Sequence, residues 1–430
     1  AIINSEALAG YAKYDSYKYS GGEWLGDIPE SWKLGRISSF FHERRTKVSD
    51  KDYPALSVTK SGVFPQWEHV AKSNDGDNRK LVKKGDFVIN SRSDRKGSSG
   101  TAKQDGSVSL INIVLQTKEI EPRYSEYLFK SNAFIEEFYR MGHGIVADLW
   151  TTRFDNIKNS LMPVPTCAEQ TAIADFLDRK TIQLDQAIEL KQQQIEKLNE
   201  YKQITIQNAV TKGLDANVKM KDSGVDLLGH IPEHWEAKRL KYVLTERNER
   251  TKTGDEPLFM VSQKHGLVVR ADYHDKATVA FSNIDNKVVY ENDLVFNKLK
   301  AHLGVFYKSE ISFKGIVSPD YAVYKRKAYI DDLKFLEILF RHPSYIEQFI
   351  VRATGIVEGL IRLYTSELFD LHIPIPPSNE QKEILAFAEK ITAQVESAKD
   401  VLQNKIDKLR EYRTVLINDA VTGKIKVSEE

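Results

Sequence analysis

Apolar residues recur at helical spacing in two long polar segments of the chain. In the first segment they are Leu177, Leu184, Ile188, Ile195 and Leu198, and in the second they are Ile391, Val395, Leu402, Ile406 and Leu409. The steps are three, four or seven residues, and the positions between are rich in Lys, Gln and Glu. This pattern predicts two amphipathic helices, each with the narrow apolar seam of a coiled coil.

Both segments carry the start signals of a helix. Thr166-x-x-Glu169 and Ser378-x-x-Gln381 fit the capping box, and each follows a proline-containing stretch that should be extended. A helix of about 42 residues is about 63 Å long, which is too long to bury its seam inside one domain of ordinary size. We therefore expect the two helices to pair with each other, antiparallel. The alternative is that each helix lies across its own domain.

The helices close two copies of a longer repeat. The stretch "GGEWLGDIPESWKLGRI" at 21–37 returns as "SGVDLLGHIPEHWEAKRL" at 223–240, which places Trp32 over Trp235. Farther along, "GDFVIN" (85–90) matches "NDLVFN" (292–297), and "PVPTCAEQ" (163–170) matches "PIPPSNEQ" (374–381). The similarity fades between 38 and 160 and between 241 and 370. This pattern indicates a duplicated domain whose frame stayed similar while its interior diverged.

The expected fold class is α+β, with two globular mixed α/β domains joined by two long antiparallel helices that form a coiled coil, in an internal pseudo-two-fold repeat. Short β-rich runs in both interiors, followed by two stretches of helical spacing, support the mixed content. The predicted organisation is a first domain over 1–165, a first long helix over 166–212, a connector and second domain over 213–376, and a second long helix with its tail over 377–430. Gly213 and Gly423 are expected to end the helices.

Bulk composition narrows the function only slightly. The chain has 62 Lys and Arg against 61 Asp and Glu, so nucleic-acid binding would have to come from local basic patches. Its one cysteine, Cys167, excludes an internal disulfide. Because the sequence contains neither a long apolar run nor a signal-peptide pattern, a cytoplasmic location is expected.

The sequence offers little catalytic chemistry. Pro319-Asp320 with Asp332-x-Lys334 fits the loose pattern of metal-dependent nucleases, but the aligned residues of the first copy, Leu110 and Ile111, carry no such chemistry. The histidines lack metal-ligand spacing, and neither a nucleotide-binding P-loop nor a nucleophile elbow is present. We expect a non-catalytic chain without a metal site.

Basic and polar loops recur at matching places in the two interiors. Such loops can supply Arg and Lys to guanine edges, Asn and Gln to adenine, and hydroxyls to phosphates. The candidate DNA-binding residues of the first copy are Lys60, Ser61, Arg92, Ser93, Arg95, Lys96 and Lys103, and those of the second copy are Gln263, Lys264, His265, Asn297, Lys298, Lys300 and His302.

The repeated motifs resemble the specificity (S) subunits of type I restriction–modification enzymes, the HsdS family. The resemblance covers essentially the whole chain. It is carried by W-L-G-x-I-P-x-x-W at 24–32 and its copy at 227–235, by the I-P-x-P…E-Q entry to each long helix, and by A-V-T-x-G at 209–213. Two departures are small: Leu227 replaces the first Trp of the second copy, and the last ending reads A-V-T-G-K.

The resemblance implies a DNA-recognition role. Each diverged interior would be a target-recognition domain that reads one half of a bipartite, asymmetric site in double-stranded DNA, and the paired helices would set the spacer between the halves. The partners would be two methyltransferase (M) subunits and, in the full complex, two restriction (R) subunits. S-adenosylmethionine, ATP and Mg²⁺ would be held by those partners. The coil and the W-L-G segments are the expected docking surfaces for the M subunits.

Two other functions stay open on the sequence. A non-catalytic scaffold or coiled-coil adaptor would have the same two domains and coil without binding DNA. A self-contained Mg²⁺-dependent endonuclease would use Asp320. Binding to duplex DNA would distinguish a specificity subunit from the scaffold. Metal-dependent DNA cleavage would support the endonuclease.

Overall fold

The computed structural model describes residues 10–66, 76–144, 150–263, 265–273, 283–354 and 362–427, and for residues 301 and 302 it describes the backbone alone. The chain divides into two compact units. Unit 1 consists of Ala1–Gln192 and Gln403–Glu430, and unit 2 consists of Gln193–Leu402. Each long helix is therefore shared, because its first part belongs to one unit and its last part to the other.

Unit 1 is built on short antiparallel strands. They are β1 Tyr17–Tyr19, β2 Asp27–Pro29, β3 Lys33–Arg36, β4 Phe41–Glu43, β5 Lys47–Val48, β6 Leu56–Thr59, β7 Gly62–Pro65, β8 Arg79–Val82, β9 Phe87–Asn90, β10 Ser99–Thr101, β11 Gly106–Ser109, β12 Asn112–Thr117 and β13 Leu161–Val164. The largest sheet has the order β10-β9-β12-β4, and β11-β8-β5 forms a second sheet. β6 pairs with β7, β1 with β2, and β3 with β13.

The helices of unit 1 follow the strands. They are α1 Ile37–Phe40, α2 Pro122–Lys130, α3 Asn132–Arg140, α4 Phe154–Ile157 and the 46-residue α5, Cys167–Lys212, whose first part belongs to this unit. Ser131 caps α3 by accepting a hydrogen bond from the amide of Phe134. The aromatic faces of α2 and α3 pack on the four-stranded sheet, where Phe129 lies 4.8 Å from Phe41 and 5.4 Å from Phe87 between ring centroids.

Unit 2 repeats this arrangement. Its strands are β14 Met220–Asp222, β15 His230–Pro232, β16 Glu236–Arg239, β17 Leu244–Glu246, β18 Phe259–Ser262, β19 Gly266–Val269, β20 Lys287–Val289, β21 Leu294–Asn297, β22 Phe306–Lys308, β23 Gly315–Val317, β24 Tyr321–Arg326 and β25 His372–Ile375. The four-stranded sheet has the order β17-β24-β21-β22, which is that of β4-β12-β9-β10 in unit 1. The interiors therefore share one topology although their sequences have diverged.

The helices of unit 2 also correspond. They are α6 Leu240–Val243, α7 Lys334–Leu339, α8 Pro343–Arg352, α9 Thr365–Phe369 and the 44-residue α10, Ser378–Val421, whose first part belongs to this unit. As in unit 1, aromatic rings fill the core beneath the four-stranded sheet: Phe306 stacks on Phe296 at 4.2 Å and meets the edge of Phe340 at 4.7 Å.

The long helices run antiparallel within each unit. In unit 1, Asp185 of α5 pairs with Arg413 of α10 at 3.4 Å. In unit 2, Lys202, which comes later in α5, pairs with Glu396, which comes earlier in α10, at 2.6 Å. The same parts of the helices also enter the cores, since Leu177 and Leu416 belong to the core of unit 1. Each helix half therefore both pairs with the other helix and packs against a domain. Antiparallel pairing and packing across a domain, which the sequence offered as alternatives, coexist.

The apolar seam faces inward. The buried members are Leu177, Ile195, Ile391, Val395 and Ile406, and the half-buried members are Leu184, Ile188, Leu198, Leu402 and Leu409. Other apolar side chains of α5 lie in solvent, among them Ile182 at 57% and Leu190 at 61% exposure. A helix with one continuous buried stripe and a mixed outer surface fits pairing on one side only.

The repeated tryptophans join the two helices to each unit. In unit 1, Trp32 is 1% exposed, and its indole Nε1 donates to Glu169 at the start of α5 at 2.9 Å. Gly423, just after α10, has a positive φ of 76° and lies against Trp32, so closely that an added Cβ would stand 3.1 Å from the ring. A glycine is therefore required at position 423, because its φ is positive and a side chain would press against the ring.

Unit 2 repeats the same contacts. Trp235 is 0% exposed and donates through Nε1 to Glu380 at the start of α10 at 2.9 Å. Gly213, just after α5, has a φ of 80° and lies against the same ring. The glycines end the helices as predicted. In each unit, the tryptophan of the repeated stretch (21–37 or 223–240) contacts both the start of one long helix and the residue just after the other.

The predicted capping boxes are wrong in one respect. Thr166 accepts from the amide of Glu169 at 3.3 Å, but the Glu169 carboxylate accepts from Tyr14 and Trp32 instead of turning back to the cap. At the second helix, Gln381 accepts from the amide of Asp331 and donates to the carbonyl of Pro376, while Ser378 donates to the Asp331 carboxylate. Tertiary partners have replaced the local reciprocal bond.

Candidate nucleic-acid interface

Two equivalent β-hairpins carry the first group of candidate residues. In unit 1, Lys60 and Ser61 form the exposed tip between β6 and β7. In unit 2 the tip between β18 and β19 is one residue longer and contains Gln263, Lys264 and His265. Gln263 and His265 are exposed, and Lys264 lies outside the described residues. The predicted equivalence of these segments reflects the same hairpin in each unit.

The hairpin tip of unit 1 lines a concave basic surface. Lys60, Ser61 and Lys103 share a cavity of 680 Å³ whose other lining residues include Lys130 and Arg413. Burial lowers the pKa of Lys130, and the charge of Glu126 opposes that change. The structure therefore brings together Lys60 and Lys103, which are far apart in sequence, at one surface within unit 1.

The second group lies just after the central strands β9 and β21. In unit 1 the side chain of Asn90 accepts from the amide of Arg92 at 3.2 Å, and in unit 2 that of Asn297 accepts from the amide of Leu299 at 3.0 Å. Each asparagine begins a loop with a short 3-10 turn, Ser93–Arg95 or Lys298–Leu303. The local chemistry that turns the chain is thus the same in both units.

The cations of the loop in unit 1 have acidic partners. Arg92 and Arg95 both pair with Asp94, at 3.0 and 3.6 Å, and Lys96 pairs with Glu136 of α3 at 2.6 Å. Ser93 donates through its amide to the carbonyl of Trp150. The residues also diverge in space, because Arg92 is bridged to Thr151 whereas Lys103 lines the cavity beside Lys60. The residues of this loop therefore have different surroundings, and their contact with DNA stays a prediction.

The loop of unit 2 is more compact. Lys298 and Asn297 are half-buried, whereas Lys300 is exposed. His302 falls among the residues whose side chains are not described. Lys298 is held at the backbone by its amide, which donates to the carbonyl of Asp320, and by its carbonyl, which accepts from the amide of Leu363.

Two equivalent ion pairs hold the residue just before each central strand, and they were missed in the sequence. Arg44 binds Asp86 through two hydrogen bonds, of 2.7 and 3.1 Å, and Arg247 binds Asp293 through bonds of 2.8 and 2.9 Å. Burial raises the pKa of Asp293, and its bonds to Arg247 oppose that rise. The signal was present, because Glu-Arg at 43–44 recurs at 246–247 and Asp86 matches Asp293, but nothing in the sequence said that they touch.

The nuclease-like residues of unit 2 serve other contacts. Asp320 pairs with Arg362 at 2.9 Å, while Asp332 pairs with Lys308 at 2.8 Å and accepts from the amide of Lys334. Across the ranges that the structure describes, no group of three or more His, Cys, Asp or Glu side chains is placed to hold a metal ion. The two aspartates therefore have distinct cationic partners within the fold.

The W-L-G segments are mainly structural. Trp32 and Trp235 lie inside their units, and Trp24 packs edge-on against Phe134 at 5.9 Å. The two buried rings use their hydrogen bonds and packing within the units, and docking of M subunits at the W-L-G segments stays a prediction.

Within the described part of the chain, no helix combines the length and the apolarity that crossing a bilayer requires. Cys167 is exposed at the start of α5.

Comparison with known proteins covers nearly the full chain, although no family model matches it. A putative type I restriction enzyme MjaX specificity subunit of Methanocaldococcus jannaschii is 24% identical over 94% of this chain and 96% of its own length. The MjaVIII specificity subunit of the same organism is 22% identical over 93% and 94%. The EcoKI specificity subunit of Escherichia coli is 21% identical over 93% and 90%.

Solved structures share the fold. A chain from a study of complex assembly and conformational transition of the type I R-M system has a TM-score of 0.63 at 15% identity and covers 92% of this chain and 98% of its own. The HsdS subunit of Thermoanaerobacter tengcongensis has a TM-score of 0.52 at 16% identity, with coverage of 93% and 98%. The predicted α+β class with two mixed domains and two long helices is confirmed. The resemblance to the specificity (HsdS) subunits of type I restriction–modification systems is therefore confirmed, in sequence over nearly the whole chain and in fold.

Proposed function

We propose that this chain is the non-catalytic DNA-specificity subunit of a type I restriction–modification system, and that each unit reads one half of a bipartite, asymmetric site in double-stranded DNA. The observation that carries the proposal is the duplication itself. The two units keep the same order of strands in the four-stranded sheet, the same Trp–Glu contact at the start of a long helix and the same Arg–Asp pair. Their hairpin tips and the loops after β9 and β21 differ. A matched frame with unmatched loops fits two related readers of two different half-sites.

We assign the two target-recognition domains to residues 1–165 and 213–376, and the spacer helices to 166–212 and 377–430. The candidate DNA contacts are the hairpin tips and the loops after the central strands, where basic and amide side chains are exposed. Methyltransferase and restriction subunits would join this chain in the complex, and S-adenosylmethionine, ATP and Mg²⁺ would belong to those partners. In support of the specificity role, the three relatives described above are named specificity subunits.

The direct test is methylation mapping. Host DNA is sequenced by a single-molecule method with and without the gene for this chain, in the presence of its methyltransferase partner. We expect one bipartite motif to lose methylation when the gene is removed. Unchanged methylation would refute the proposal and favour a scaffold without DNA recognition.

A second test addresses the scaffold alternative in vitro. The chain assembled with its methyltransferase should bind duplex DNA with an affinity that falls steeply as salt rises, because phosphate contacts release counterions. A complex that forms but binds duplex DNA no better than the methyltransferase alone would favour the scaffold.

The spacer role is tested by length. Adding seven residues to each long helix, between 192 and 193 and between 405 and 406, keeps the heptad seam in step. The insertion extends the helices by about 10 Å, at about 1.5 Å per residue, which corresponds to about three base pairs of duplex. We expect the unread gap of the methylated motif to grow by about that number while both half-sites stay the same. An unaltered gap would show that the helices do not set the spacer.

A further inference from the structure

The two units contain an equivalent ion pair below the loops that follow their central strands. In unit 1, Lys80 of β8 binds Glu43 of β4 at 2.8 Å and also donates to the carbonyl of Asn112. In unit 2, Lys287 of β20 binds Glu246 of β17 at 3.2 Å. Both lysines are poorly accessible, with 14% and 4% of the side chain exposed. This matched pair forms a common floor in both units.

The same backbone contacts position the surroundings of each floor. In unit 1, Thr151 exchanges two hydrogen bonds with His143, and the amide of Thr152 donates to the carbonyl of Ser91. In unit 2, Arg362 exchanges two hydrogen bonds with Thr354, and the amide of Leu363 donates to the carbonyl of Lys298. Ser91 and Lys298 therefore occupy equivalent positions, as do Thr151 and Arg362.

A third position completes each wall. It is the residue before the long strand of the sheet, Ile111 before β12 in unit 1 and Asp320 before β24 in unit 2, because Asn112 and Tyr321 take the same register against the central strands. The two walls thus differ at every one of these positions. Unit 1 has Ser91, Ile111 and Thr151, and unit 2 has Lys298, Asp320 and Arg362.

The wall of unit 1 encloses an open cavity. It has a volume of 600 Å³ and is lined by both floor residues, Lys80 and Glu43, and by all three wall residues. The exposed Lys47 and Arg153 line the same cavity. Above the floor ion pair, the wall combines the hydroxyls of Ser91 and Thr151 with the apolar Ile111, which suits the methyl group and carbonyl of thymine, while the two exposed cations suit backbone phosphate. Arg45 and Asp155 also line the cavity and pair with each other at 3.3 Å.

The wall of unit 2 is charged. Asp320 binds the guanidinium of Arg362 at 2.9 Å, and the two side chains remain 44% and 37% exposed. Burial lowers the pKa of Lys298; the charges of Lys287 and Arg362 lower it further, and the charge of Glu246 opposes that change. A carboxylate that orients an accessible guanidinium leaves its other N–H groups free for two acceptors on one edge, and guanine presents such a pair in the major groove.

We propose that the matched floor and its three wall positions are the base-reading site of each unit, with unit 2 reading a guanine through Arg362 and unit 1 reading an A·T pair through Thr151 and Ile111. This inference rests on the proposed function. It also gives Asp320 a role without a metal, since the carboxylate positions the arginine that touches the base.

The test uses the chain assembled with its methyltransferase and a DNA library randomised across both half-sites, read by single-molecule sequencing. Arg362→Ala should lower discrimination at one G position of one half-site by roughly tenfold or more and leave the other half-site unchanged. Asp320→Asn should weaken the same position to a smaller extent. Arg352→Ala is the matched control, because Arg352 lies in the same unit with similar exposure and its side chain pairs with Glu367 at 3.9 Å, which is neither a floor nor a wall residue.

Thr151→Val provides the arm for unit 1. It removes a hydroxyl with little change in shape, and we expect a several-fold loss of discrimination at one A·T position of the other half-site. The inference is overturned if Arg362→Ala keeps the wild-type motif, or if either variant alters both half-sites. Failure of the proposed function looks different, because the wild-type complex would then show no sequence-specific methylation at all.

Discussion

Unit 1 and unit 2 differ most where their shared framework ends. Their four-stranded sheets have one order, their tryptophans bind the first turn of a long helix in the same way, and their buried Arg–Asp pairs have nearly equal distances. Their exposed segments share little. The hairpin tip has two residues in unit 1 and three in unit 2, and the wall residues are hydroxyl and apolar in unit 1 but charged in unit 2. The comparison teaches that the two copies kept the buried contacts that position an exposed surface, whereas the residues of that surface diverged.

The strongest way to break this comparison is to exchange one interior. Replacing residues 38–160 with the corresponding interior of a relative should change one half-site of the methylated motif completely and leave the second half-site and the gap as they were. Methylome sequencing of the chimera with its methyltransferase measures this. A chimera whose two half-sites both change would contradict the independence of the units.

Removing the tryptophans should cost equal stability in the two units. Trp32→Ala and Trp235→Ala each empty a fully buried site and leave a glutamate without its indole donor. Truncation of a buried tryptophan costs about 3–5 kcal/mol of unfolding free energy. Urea unfolding of each variant measures the loss, with Trp24→Ala, a half-buried ring, as the milder control. A large loss in only one variant would show that the matched contacts are unequal in energy.

The buried ion pairs should sharpen the comparison through pH. Arg247→Ala leaves Asp293 buried without its partner, at a cost of about 3 kcal/mol. Burial already raises the pKa of Asp293, and loss of Arg247 would raise it further. The destabilisation should therefore be small at acidic pH, where the carboxyl is protonated in both proteins, grow as pH rises above the pKa of Asp293 in the folded wild type, and level off above its higher pKa in the folded variant.

The control for that measurement is Arg44→Ala in unit 1, which removes the equivalent partner of Asp86. We expect a similar loss at neutral pH. Thermal melting across pH, with the wild type alongside, follows both. A destabilisation by Arg247→Ala that stays constant from acidic to neutral pH would contradict a buried charged carboxylate.

The smallest expected effects come from the ion pairs between the long helices. Lys202→Ala removes a 2.6 Å pair with Glu396, whose pKa is lowered by its hydrogen bonds to Lys202 and Lys399. Arg413→Ala removes a longer, more exposed pair of 3.4 Å with Asp185. Exposed pairs contribute about 1 kcal/mol or less, so both losses in melting experiments should be small, with Lys202 the larger. A loss of several kcal/mol of unfolding free energy would show that the ion pairs, and not the apolar seam, supply most of the energy that pairs the two helices.

Much of the frame could be predicted because its signals are local or repeated. Seam spacing located both long helices, and Gly213 and Gly423 marked their ends. The capping boxes failed because Trp32 and Asp331 reached the helix starts from elsewhere in the chain. The pair of Lys96 with Glu136 had no local signal either, since the two residues are distant in sequence but adjacent in the fold.

The sequence by itself determined the duplication, the two amphipathic helices and the family resemblance, because each is expressed as spacing or as similarity along the chain. Only the tertiary structure decided which side chains share a surface. Lys80 with Glu43, and Asp320 with Arg362, come together through strand pairing and backbone bridges between distant segments. Electrostatic contacts depend on distance in space, and distance in space is set only when the sheets and loops have packed.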